Sequence, residues 1–324
     1  MKVAPKIDRD VARELYRQMY LIRCFEEECG VQYVQGRIRG FLHLYIGEEA
    51  VGVGAISVLN DNDYVVSHYR DHGHALAKGL NPSAVMAELM GKAAGVSGGR
   101  GGSMHLFDVS RCFMGGYAIV GGQLPVATGL GLAISHQRQD RAVMCFLGDG
   151  AVNQGIFHES MNLASLWKLP VIFMLENNLY GMGSHIDRTH AAGRDLYTAA
   201  DSYNIPAMQV DGMDVVLVRE AAAEAVRRVR AGEGPVFLEA ITYRYRGHSM
   251  ADPVQYRDNE EVERWRAKDP ISGFVDHAVA NNLLGPQDLA ELQDQVQKQI
   301  AEAVRFALEA EEPTIESMYD QVYG

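Results

Sequence analysis

Between positions 8 and 35 the apolar residues Val11, Leu15, Met19, Ile22, Phe25 and Val31 recur at helical spacing, which predicts that the chain opens on a long amphipathic helix. A second helix is expected over 47–59. The segment DNDYVVSHYRDHG then reads as a turn, a short buried strand at 64–67 and a polar loop at the strand's C-terminal end. Two continuous apolar runs, RAVMCFLGDG and PVIFMLENN, flank a helical stretch at 154–167, the strand, crossover helix and strand of a parallel sheet. The same alternation continues through MQVDG, a helix over 215–230 and PVFLEAITY. At least four strands are therefore expected besides the one near Val65, in a doubly wound α/β sheet whose ligands bind at the C-terminal edge.

Residues 95–122 break this rhythm. Their glycine density, in GVSGGRGGSMHLFD and then MGGYAIVGG, suits neither a packed helix nor a central strand. An alanine- and glycine-rich helix is expected next, over 124–136. Beyond Tyr245 the polar segment RYRGHSMADPVQYRDNEE precedes two predicted helices that run to about Ala310. No internal repeat or low-complexity linker interrupts the chain. The expectation is a single domain over 1–324: N-terminal helices at 1–60, an α/β core at 61–245, and a loop with C-terminal helices at 246–324.

Composition narrows the classes of function. A chain of 324 residues, 47% hydrophobic, can bury a large core. Lys and Arg number 30 against 42 acidic residues, and the net charge of -12 argues against nucleic acid or an anionic membrane as the main partner. A local basic site for a phosphate is still allowed. Cys24, Cys29, Cys112 and Cys145 form no C-x-x-C pair, which points away from a disulfide framework or a structural zinc site. With no apolar signal core at the start and no apolar run of spanning length, a cytoplasmic protein is expected. A processed organellar chain restarted at a Met would read the same.

The chemistry-bearing residues cluster at strand ends. Gly148-Asp149-Gly150 follows one buried strand and Asn177-Asn178 ends the next, so both pairs lie on the same sheet edge. A carboxylate and an amide oxygen are hard ligands suited to magnesium, which completes its shell with phosphate oxygens, water and a backbone carbonyl. Gly150 permits a sharp turn into a helix whose first amides can face a phosphate. Taken singly, D-G reads equally as a tight turn and N-N as a turn before glycine-rich loop. Their joint placement across one strand-helix-strand unit favours a diphosphate anchored through a metal. A nicotinamide-binding reading fails, because no G-x-G-x-x-G follows a first strand.

The run GDGAVNQGIFHESMNLASLWKLPVIFMLENNLYGMG resembles the thiamine-diphosphate motif of the alpha subunits of 2-oxo acid dehydrogenases, with its closest likeness in the pyruvate dehydrogenase branch. GFLHLYIGEEA, HYRDHG, GGRGGSMHLF, AIVGGQLP, QVDGMD and YRYRGHSMADP extend the resemblance over nearly the whole chain in the family's order. It implies that Asp149, the Asn178 side chain and the Tyr180 main-chain carbonyl bind Mg2+. Gly150 and Ala151 would line the diphosphate, and Tyr69 and Arg70 match the family's Tyr-Arg pair. Ala118 and Val120 match the positions whose backbone holds the aminopyrimidine ring. This chain reads GGYAIVGG where animal members carry an Asn-Gly pair, so Tyr117 and Ala118 depart from the pattern. Arg246 likewise replaces a histidine.

His248, in RGHSMADP, matches the family's catalytic histidine, and a histidine titrates where it can pass or accept protons. On its residues alone it reads equally as an exposed loop histidine. His43 resembles a position near the substrate, and His105 reads as structural or functional. Ser249 matches a serine that is phosphorylated in eukaryotic members, where the added charge opposes activity. By resemblance the chain takes thiamine diphosphate and Mg2+, decarboxylates pyruvate and passes the acetyl group to the lipoyl domain of a dihydrolipoyl acyltransferase. The family's heterotetramers draw an activating glutamate from a beta subunit, so two alpha and two beta chains are expected. The alternatives are an acetoin dehydrogenase alpha subunit, and a scaffolding subunit that has lost the chemistry. RGHSMADP favours pyruvate over acetoin, and Asp149, Asn178, Arg70 and His248 together oppose the scaffold reading.

Overall fold

The computed structural model describes residues 7–191 and 193–320. Helix α1 (Arg9–Val34) opens the chain, with the Asp8 carboxylate accepting the Val11 N–H at 2.8 Å as its N-cap. Ala12, Leu15, Met19, Ile22 and Phe25 form its buried stripe. Val31, expected on that stripe, is exposed, and the buried position beside it is Gln32. There follow α2 (Glu49–Ile56), β1 (Tyr64–His68), α3 (His72–Ala77), α4 (Pro82–Leu89), β2 (Phe113–Tyr117) and α5 (Gln123–Gln137). Then come β3 (Val143–Gly148), α6 (Gly155–Leu166), β4 (Val171–Asn177) and the two-residue strands β5 (Tyr180–Gly181) and β6 (Ser184–His185). The chain continues through β7 (Ala207–Asp211), α7 (Val215–Arg230), β8 (Val236–Ile241), α8 (Asn259–Arg266), α9 (Pro270–Ala280) and α10 (Pro286–Glu309).

Six strands form one parallel sheet in the order β2-β1-β3-β4-β8-β7. Helices cover both faces, which is why β3, β4 and β8 read as near-continuous apolar runs, interrupted by Glu176 in β4 and Glu239 in β8. One core packs α1, α2, α7, α9 and α10 against the sheet, and a second lies under α5 and α6. A side chain at Gly54 would meet the Val215 carbonyl and the Val218 side chain at 2.9 Å, so glycine there lets α2 approach α7. The doubly wound α/β expectation holds. No helix among the described residues is long and apolar enough to cross a membrane.

Two expectations need correcting. The glycine-rich stretch does contain a strand, FMGGY, and the sheet seats it at its edge, where a missing side chain costs less packing. The C-terminal region holds three helices rather than two, because Asp269 and Pro270 start a helix of their own and Pro286 starts another.

The glycine-rich loop before β2 is organised by an acid. The buried Glu88 carboxylate accepts the Ser97 and Gly99 amides on one oxygen, both at 2.8 Å, and those of Gly101 and Gly102 on the other, at 2.8 and 3.0 Å. A Cβ at Gly95 would fall 2.3 Å from this carboxylate, so the loop closes around Glu88 only with glycine there. The same loop delivers Ser103 to His72.

Candidate active site

From β1 the chain runs to β2 on one side of the sheet and then returns past β1 to β3, so the strand order reverses beside β1. Open parallel sheets hold ligands at such a switch point, outside the C-terminal strand ends. A cavity of about 510 Å³ lies there. Its walls come from the ends of β1 (His68, Tyr69, Arg70), β3 (Gly148, Asp149, Gly150, Ala151) and β4 (Glu176, Asn178), with His43, His248 and Arg244 arriving from loops. All eleven residues expected at the catalytic, cofactor and metal positions line this one cavity: His43, Tyr69, Arg70, Ala118, Val120, Asp149, Gly150, Ala151, Asn178, Tyr180 and His248. His105, Tyr117 and Arg246 do not line it. The His105 ring instead bonds the Gly116 carbonyl at 3.1 Å, which fits its structural alternative.

Strand register explains why Asp149 and Asn178 converge. Gly148 pairs with Glu176, so the residues after each strand leave the sheet at the same level. Leu179 and Met182 adopt left-handed backbone, φ 71° and 56°, turning the chain back on itself immediately after Asn178. The Tyr180 amide donates to the Asn178 Oδ1 at 3.3 Å. Asp149 is buried, and one of its carboxylate oxygens, Oδ2, has no hydrogen-bond partner. Burial pushes its pKa up to about 6, against the opposing pull of Arg244 and the Gly150 and Tyr180 amides. An orphaned carboxylate oxygen beside an amide oxygen and the Tyr180 carbonyl is a donor set that fits a hard divalent cation, whose charge favours the ionised acid.

Arg70 is placed differently from the free fork that its motif suggests. Its guanidinium donates to the Leu44 carbonyl at 2.8 Å and the His248 carbonyl at 3.0 Å. It thereby ties together the loops that carry His43 and His248. Those rings meet edge to face with centroids 5.0 Å apart, and Tyr69 packs against both, at 4.7 Å from His43 and 5.7 Å from His248. The Nδ1 atoms of His43 and His248 are both buried without partners. Burial first, then the Arg70 charge, lowers the pKa of His43 to about 2 and that of His248 to about 4. Both imidazoles are therefore held in the neutral form at physiological pH. The His248 loop is pinned by Asp252, which accepts the His248 amide and the Tyr256 hydroxyl, each at 2.6 Å.

In the cavity wall and behind it lies a polar network that the sequence reading missed. Glu176, inside otherwise apolar β4, accepts from His68 Nε2 at 2.6 Å, His74 Nε2 at 3.0 Å and the Tyr45 hydroxyl. Burial opposes its ionisation, yet His74 and His68 outweigh that and hold the carboxyl well below the usual range. Glu48 at the start of α2 is also buried; its Oε1 accepts from Asn178 Nδ2 at 3.0 Å, and its Oε2 lies 3.7 Å from Arg70 Nε. Burial, and then the Glu176 charge, pushes Glu48 above the ordinary carboxylate range. Arg244, also missed, donates to the Met182 carbonyl at 3.1 Å and, at 3.5 Å, to that of Tyr180. Ser249 sits in a neighbouring hollow with Arg246, Arg257 and Arg266.

Residues 17–316 match the protein family described as "Dehydrogenase E1 component". Among curated proteins the chain is 46% identical over 308 residues to "Pyruvate dehydrogenase E1 component subunit alpha" of Rhizobium meliloti, covering 95% of this chain and 88% of the relative. It is 43% identical over 311 residues to the protein of the same name from Porphyra purpurea, covering 94% and 90%. The Rickettsia felis protein of that name is 43% identical over 326 residues, with both chains covered completely.

Proposed function

The chain belongs to the dehydrogenase E1 component family, and from that premise we propose that it is the alpha subunit of a pyruvate dehydrogenase. In this reading it works with a beta subunit to decarboxylate pyruvate oxidatively and pass the acetyl group to the lipoyl group of a dihydrolipoyl acyltransferase. The observation that carries the reading is the meeting of Asp149, Asn178, Tyr180 and the His43–Tyr69–His248 ring cluster in one cavity at the sheet's switch point. The family implies dependence on thiamine diphosphate, which when bound supplies the electron sink that lets a 2-oxo acid lose carbon dioxide.

The chain's own residues then have separable tasks. Asp149, the Asn178 side chain and the Tyr180 carbonyl hold Mg2+. Gly150 and Ala151, at the turn after β3, line the diphosphate, with Tyr69 and Arg70 lining the same cavity. Ala118 and Val120 offer backbone groups to the aminopyrimidine ring. His248, neutral and with a free Nδ1, exchanges protons at the substrate, and His43 positions it. Ile119 and Met182 are 78% and 68% exposed, and apolar groups so open beside the cavity support a covering beta subunit. The names of the relatives favour pyruvate over acetoin.

The test is carbon dioxide release from pyruvate by the chain co-purified with its beta subunit, in thiamine diphosphate, Mg2+ and an artificial electron acceptor, with acetoin in parallel. Turnover of pyruvate only when both subunits and cofactor are present, abolished by Asp149→Ala, is expected. Preferential turnover of acetoin would replace the substrate assignment, and no turnover of either by a cofactor-loaded tetramer would reject it.

A further inference from the structure

The two oxygens that face the candidate cation differ in how firmly they are aimed. An aspartate presents oxygen whichever way its carboxylate turns, whereas an asparagine rotated by half a turn presents an N–H₂ group, which cannot ligate. Something must therefore fix the Asn178 amide. Its Nδ2 donates to Glu48 Oε1 at 3.0 Å, and this leaves Oδ1 on the side of Tyr180 and the cavity. Glu48 is itself only 1% exposed and its second oxygen has no hydrogen-bond partner, so no solvent competes for the bond. That second oxygen lies 3.7 Å from Arg70 Nε. Glu48 thus touches one candidate metal ligand and faces one candidate diphosphate-side residue while lining neither position itself.

We propose that Glu48 is a positioning residue: by accepting from Asn178 Nδ2 it holds the amide oxygen toward the cation, and so sets metal affinity without contacting the metal. The inference rests on the cofactor reading of the site given above. What it requires is an acceptor at the distance of Oε1, not a negative charge. Glutamine at this position supplies one; aspartate, a methylene shorter, keeps the charge but does not reach. Outer partners that orient a metal ligand change affinity by about 10- to 100-fold when removed.

The experiment follows binding of Mn2+, as a spectroscopic substitute for Mg2+, to the assembled alpha-beta enzyme at saturating thiamine diphosphate, reading free Mn2+ by electron paramagnetic resonance. Glu48→Met and Glu48→Asp should each weaken Mn2+ binding by about 10- to 100-fold, while Glu48→Gln stays near wild type. Adding Asn178→Asp to Glu48→Asp should recover most of the loss, since a carboxylate has no wrong way round. Wild-type affinity in Glu48→Asp, or a Glu48→Gln enzyme as weak as Glu48→Asp, overturns the proposal. Should Glu48→Met fail to assemble, the Asp and Gln variants decide alone. A wild-type enzyme that binds no Mn2+ with the cofactor present would instead reject the cofactor reading, and the role of Glu48 with it.

Discussion

Two groups of histidines lie within a few residues of the same cavity and have opposite environments. His68, His72 and His74 are buried and spend their ring nitrogens on protein: His68 and His74 on Glu176, His74 also on Ser67, and His72 on Glu26 and Ser103. His43, as buried as His68, and the half-buried His248 each leave a buried Nδ1 with no partner. Burial alone does not separate the two groups. Partnering does, because a histidine already bonded at both nitrogens has no site left for a substrate proton, whereas a cavity-lining ring with an unpartnered nitrogen does.

The sharpest way to break this contrast is to remove the proton-accepting ring. His248→Asn should lower kcat for pyruvate by about 100- to 10,000-fold, the range for losing a general acid or base, with cofactor affinity unchanged. Equal losses in turnover and cofactor binding would return His248 to the scaffold group. Next in size is the scaffold itself. His74→Leu leaves the Glu176 carboxylate buried with one partner fewer and should cost about 3 kcal/mol or more of folding stability, read by denaturant unfolding. A change within error would mean that the network is not structural.

The smallest effect is one of pH. The folded value of His248, about 4, lies below its ordinary value of 6.5. Between those limits the unfolded chain takes up a proton that the folded chain refuses, so this group's contribution to stability is present above pH 6.5 and lost as pH falls toward 4. Melting temperature should fall across that window, and His248→Asn should make the fall shallower. Superimposable profiles for the two proteins would contradict the depressed value.

Much of the site was legible because its residues sit at places that sequence punctuates. Asp149 and Asn178 each end a continuous apolar run, and the side of the sheet on which they emerge follows from parallel pairing alone. Glu48 and Arg244 carry no such mark, since their roles arise from packing between a helix start and loops distant in sequence. Glu176 did leave a signal: an acid inside the fully buried VIFMLEN strand must be paired, and three residues of the first 74 provide the partners. In the fold, glycines hid β2, and the third C-terminal helix was missed although Asp269-Pro270 and Gly285-Pro286 both mark helix starts.

The clasp around Glu88 bears on selectivity for anions. Successive glycine-rich amides converging on one point make a concavity of the kind that captures phosphate in many proteins. Here the chain has filled that concavity with its own carboxylate, contacted by amides on both oxygens. The loop is thereby withdrawn from competition for phosphate or any other anion, because its converging amides are already taken.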